Sequence, residues 1–108
     1  MKVSEIPYER ADAEKVCGVI DKAVEKINAA KSVDDVLEAR ELVNDALRDF
    51  YTESSLANAR FTLNTKDEFY SAEKDYYDEK MPVVQVSYLK YADAILRSKF
   101  LDELKTKI

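Results

Sequence analysis

The sequence predicts an all-α protein: an elongated antiparallel helical hairpin or three-helix arrangement with a short C-terminal fourth helix. Three observations predict it. One glycine (Gly18) and two prolines (Pro7, Pro82) in 108 residues leave too little turn chemistry for many strands. Apolar residues recur at steps of three and four along most of the chain. Between the periodic stretches stand short polar phrases that carry helix-start signals. Residues 1–108 read as a single helical domain, with no linker, low-complexity tract or internal repeat.

The first helix should start after Asp12, a good N-cap, and run to about Lys31. Val16, Ile20, Ala23, Ile27 and Ala30 form its apolar stripe. The segment before it, Ile6-Pro7-Tyr8, is held extended by its proline and should pack as a tail. Ser32 can cap a second helix, with Asp35 near the positive end of its dipole. Val36, Leu37, Val43, Leu47, Phe50 and Leu56 carry that helix to at least Arg60. About 30 residues at 1.5 Å each would span roughly 45 Å, the length of an extended hairpin arm.

Leu63-Asn64-Thr65-Lys66 should then be a tight turn. Asn64 is the residue suited to a left-handed ending, since no glycine is nearby. Thr65 and Glu68 have the spacing of a capping box, and Asp67 and Glu68 complement the new dipole. The third helix should run from about Lys66 to Arg97. Its expected stripe is Phe69, Ala72, Tyr76, Lys80 and Val83, then Tyr88, Tyr91, Ala92 and Ile95. Pro82 lies inside it and should kink or restart the helix near Glu79–Met81. A last helix, Lys99 to Lys107, follows Ser98.

Composition excludes more than it assigns. With 46% hydrophobic and 36% charged residues, the chain is too apolar for disorder and too charged for a membrane span. No apolar run approaches the roughly 18 residues that cross a bilayer. The opening MKVSEIPYERAD lacks the apolar core of a signal peptide, so a cytoplasmic address is expected. The net charge of −5 is opposite to the basic footprint of nucleic-acid binders and unsuited to anionic membrane. A single cysteine allows no intramolecular disulfide. One glycine excludes Gly-rich phosphate loops. No histidine is present, which removes His-based acid–base chemistry, His-containing triads and nearly every catalytic zinc site.

The phrase from Leu56 to Tyr70, LANARFTLNTKDEFY, resembles the N-terminal helical region of the oligoendopeptidase F family, thimet-oligopeptidase-like zinc metallopeptidases. Further pieces keep the family's order: Ile6-Pro7-Tyr8-Glu9-Arg10, the run Glu73-Lys74-Asp75-Tyr76-Tyr77-Asp78-Glu79 ahead of Pro82, and the closing Leu96-Arg97-Ser98-Lys99-Phe100-Leu101-Asp102-Glu103-Leu104. Lys99 departs from the proline common there. The resemblance covers essentially the whole chain. It implies the N-terminal, non-catalytic segment of a longer hydrolase that cleaves short peptides, with long helices walling the substrate channel. The family binds zinc through His-Glu-x-x-His and a later Glu, and none of these is present, so no catalytic, metal or cofactor residue carries over. Zinc is implied only for the parent enzyme, and the partner implied is the remainder of that parent.

Other features have plainer explanations. Asp34/Asp35 and Asp67/Glu68 sit at helix starts, where dipole complementation accounts for them. Cys17 is a small core or boundary residue. Arg60 should clamp the inter-helix turn, pairing with Asp67 or with last-turn carbonyls. Most of the seven tyrosines should pack. Tyr70 and Tyr77, offset from the Phe69–Tyr76 stripe, are the expected partner-contact face. Helices this long leave apolar area on several sides, which predicts self-association of the chain by itself. The alternative is a stand-alone, coiled-coil-like interaction or assembly module. The stop at Lys105-Thr106-Lys107-Ile108, with neither polar tail nor helix-ending glycine, leans towards a fragment.

Overall fold

The computed structural model describes residue 2 and residues 5–107. Four helices follow one another with no strand among the described residues: α1 (Ala13–Asn28), α2 (Val33–Leu63), α3 (Glu68–Arg97) and α4 (Leu101–Lys107). α2 and α3, with 31 and 30 residues, form the long hairpin. α1 lies on it and runs parallel to α3. The Ala13 N–H donates to the Tyr76 hydroxyl at 3.0 Å, and Cys17 Sγ lies 4.0 Å from the Val83 carbonyl oxygen. α1 covers one stretch of the hairpin, residues 6–12 cover another, and α4 buries Leu104 beside both arms. The result is a slab of 52 × 27 × 17 Å.

Local chemistry explains each start. Asp12 caps α1, its Oδ1 accepting from the N–H groups of Glu14 (3.0 Å) and Lys15 (3.3 Å). All five residues of the predicted α1 stripe are buried. The helix ends at Asn28, three residues before the expected Lys31. Ser32 is at the N-cap of α2 but its hydroxyl makes no cap bond. Asp35 reaches back instead and accepts from the Lys31 N–H at 3.0 Å. A carboxylate is the stronger acceptor at a positive dipole end.

The turn between the long helices corrects two expectations. Asn64 is not left-handed: φ is −147° and ψ 90°. It ends α2 through its side chain, whose Oδ1 accepts from the Lys66 N–H at 3.2 Å, an Asx turn that needs no positive φ. Thr65 does not cap α3. The N-cap is Asp67, whose carboxylate accepts from the Tyr70 N–H at 3.2 Å, and Glu68 is the first helical residue. Asp67→Ala should therefore cost about 1 kcal/mol, while Thr65→Ala should stay within about 0.5 kcal/mol. Urea denaturation of the two variants checks the assignment, and a reversed order would return the cap to Thr65.

The stripe of α3 also differs. Its buried residues are Glu73, Tyr77, Val84, Ser87, Tyr91 and Ala94, whereas Phe69, Val83 and Tyr88 are exposed. The helix continues through Pro82 without a restart. Gly18 lies within α1, and apart from its chain neighbours and the backbone of its own helix no atom lies within 4 Å of where a Cβ would sit. Gly18→Ala should raise stability by about 0.5–1 kcal/mol, measured as a higher urea midpoint at unchanged slope.

Candidate functional site

The densest polar constellation lies where residues 6–12 cross α3. Its centre is Glu73, only 3% exposed although ionisable. A carboxylate that deep needs donors on both oxygens. Arg10 supplies two: Nε donates to Oε1 at 3.0 Å and Nη2 to Oε2. The Tyr8 hydroxyl donates to Oε1 at 2.6 Å. That use of its one proton settles the neighbouring bond. Tyr77 must donate to Tyr8 across 2.9 Å, while its oxygen accepts from the Ala11 N–H at 2.9 Å. Tyr76 completes the strap, donating to the Ala11 carbonyl at 2.8 Å and accepting from the Ala13 N–H.

Rings pack around these bonds. The Arg10 guanidinium lies over Tyr76, 4.3 Å from its centroid. Tyr8 meets Tyr70 and Phe69 edge-on at 5.7 and 6.3 Å. Arg60, from the last turns of α2, donates to the Tyr70 hydroxyl at 2.5 Å and to the Ile6 carbonyl. Two arginines thus tie the tail to the hairpin from both sides.

The electrostatics suit holding rather than reacting. The hydrogen-bonded Arg10 guanidinium keeps the Glu73 carboxyl below its ordinary range, against the opposing effect of burial. Burial, with the Glu73 hydrogen bond, pushes the Tyr8 hydroxyl far above the ordinary phenol range, and burial also raises Tyr77. A carboxylate saturated by three hydrogen bonds and phenols held neutral offer neither a general base nor a nucleophile at neutral pH. The residues do not fit a zinc ion: the chain has no histidine, and no group of three or more metal-ligating side chains occurs among the described residues.

The expected partner face divides. Tyr77 is 1% exposed, closed in by Tyr8, Ala11 and Phe50, so it is unavailable to any partner. Tyr70 is half-buried beside Tyr8 and Arg60. Among the turn residues, Asn64 and Asp67 shape the turn, Thr65 and Glu68 are exposed, and Arg60 bonds the tail and α3. Cys17 packs at the edge of the core. The sequence alone does not single out Glu73, Arg10, Tyr8 and Tyr76 as a site. Their one sequence signal is the acid of Glu73 on the step of three and four that joins Tyr70, Tyr77 and Val84. No helix among the described residues is long and apolar enough to cross a membrane.

This architecture has known counterparts. No curated protein matches the chain. Among solved structures it superposes on PZ peptidase A, solved with an inhibitor, with TM-score 0.92 and 33% identity over 98% of this chain. A structure described as an oligoendopeptidase F gives TM-score 0.92 and 35% identity over 98%. Another so described, from Bacillus anthracis, gives 0.90 and 33% over 96%. In each case the chain spans 19% of the longer protein. The sequence pattern of the peptidase M3 N-terminal domain matches residues 3–108. The chain accordingly belongs to the peptidase M3 family, as its N-terminal helical domain.

Proposed function

We propose that this domain is the non-catalytic N-terminal segment of a cytoplasmic, zinc-dependent oligopeptidase, where it helps to wall the channel that admits short peptides. The observation that carries the reading is the superposition of nearly the whole chain on a fifth of each larger peptidase. The absence of histidine agrees with chemistry that resides elsewhere in the protein. The clasp at Glu73 then has a mechanical role, keeping the tail on the hairpin so that the wall is stiff. Hydrolysis and zinc binding belong to the remainder of the polypeptide, which is the domain's partner.

Sequencing the gene past the codon for Ile108 tests this reading. A frame that continues for several hundred codons and contains His-Glu-x-x-His supports it. Its product should hydrolyse short peptides, with activity lost to a chelator. A stop codon after Ile108 removes the enzyme reading for this product. The 108-residue chain by itself is expected to self-associate through its exposed apolar faces. Light scattering at tens of micromolar measures this, and a clean monomer counts against it.

A further inference from the structure

α3 carries two apolar faces, and the fold uses one. At 100° per residue, Pro82, Val86, Leu89 and Leu96 lie on the side turned away from the buried Tyr77, Val84 and Tyr91. Val86, Leu89 and Leu96 are 54%, 67% and 66% exposed, and the stripe runs roughly 20 Å along the helix. Tyr51 of α2 and Tyr88 widen it, lining a groove beside Leu89. The slab is also extended, with its two long helices side by side. A compact domain of this length has a radius of gyration of about 13 Å, whereas this one measures 16.7 Å. A helix apolar on both sides belongs between two layers, and one layer is missing here.

We infer that this outer face of α3 is the docking surface for the polypeptide that follows Ile108 in the full-length protein. The inference rests on the proposed function. It is favoured over a second copy because the same fold, superposed at TM-score 0.92, is continuous with a far longer chain in the solved relatives. The occupant presents an apolar surface of its own to Val86, Leu89 and Leu96, with polar groups at its edge for Gln85 and the exposed Asp93.

The test uses the full-length gene product carrying Leu89→Cys or Leu96→Cys. Maleimide labelling of each site is followed by mass spectrometry on the peptide that holds it, in the native protein and in urea. Docking predicts native labelling at least about 100-fold slower than in urea at both sites, because enclosed thiols are inert. The slowing should be independent of protein concentration. Native rates within a few fold of the urea rates overturn the inference and leave the peptidase reading intact. Protection that fades on dilution identifies a second copy as the occupant and also overturns it. A reading frame that ends at Ile108 overturns the proposed function, and this inference falls with it.

Discussion

Arg10→Met will destabilise the domain by about 2–4 kcal/mol at pH 7, although Arg10 itself is half-exposed. The cost comes from what the substitution leaves behind. Glu73 would keep only the Tyr8 hydroxyl for a carboxylate that is 3% exposed. The exposure of Arg10 lets some water reach the site, which holds the loss near the lower half of that range. Glu73→Leu should cost less, because it strands only a phenol and a guanidinium that can turn to solvent. The double variant should be less damaged than the sum of the two by about 1–3 kcal/mol, since no unpaired charge remains.

The pH dependence separates this account from simple loss of packing. Arg10 depresses the Glu73 pKa in the folded protein. Such a group contributes stability that is present above its unfolded pKa, about 4.3, and lost as pH falls through the folded value. In Arg10→Met, burial acts on the carboxyl without the arginine. The gap between the two proteins should therefore be widest at neutral pH and shrink towards pH 3, measured by urea denaturation. A gap below 1 kcal/mol at pH 7, or one that stays flat with pH, would falsify the clasp as an electrostatic device. At the alkaline end, Tyr8, Tyr77 and Tyr91 titrate high, chiefly because they are buried. The stability their neutral forms give is complete below about pH 10 and declines above it.

Why the fold was legible and the clasp was not has a physical explanation in α3. Helix existence and order follow from local periodicity and caps, and α1 shows both cleanly: an Asp12 cap and an unbroken stripe from Val16 to Ile27. α3 has apolar residues on two faces, so apolar periodicity alone does not choose which is inside. Ranking by hydrophobicity favours Phe69, Val83 and Tyr88, whereas the core accepts Glu73 and Ser87. Glu73 can be inside because Arg10 and Tyr8, more than sixty residues away in sequence, arrive to bond it. Such a pairing leaves no local mark. The cap of α3 is equally hard to read locally: Asp67 and Thr65 both suit it, and Asp67 takes it.

The largest loss is expected at Phe50. It is fully buried near the middle of α2 and meets the Tyr77 ring edge-on at 5.4 Å. Phe50→Ala removes the ring's transfer free energy and opens a cavity, a combination that costs about 3–5 kcal/mol. A domain of this size has only about 5–15 kcal/mol in total. The slab is thin, so few neighbours can relax into the space. Tyr77 borders that space, and its hydroxyl holds Tyr8 and Ala11, so the cavity should also loosen the clasp. Phe50→Leu keeps most of the volume and should cost under about 1.5 kcal/mol. Urea midpoints should order the proteins as wild type, Leu, Ala, with an unchanged slope for Leu. A loss under 1.5 kcal/mol for Ala would mean that the hairpin centre collapses freely, contrary to the interlocked ring packing. Within the proposed peptidase, the same substitution should shorten the half-life of activity on heating while leaving KM for a short peptide unchanged. That split follows if the domain supplies a stiff wall and the reacting groups lie elsewhere.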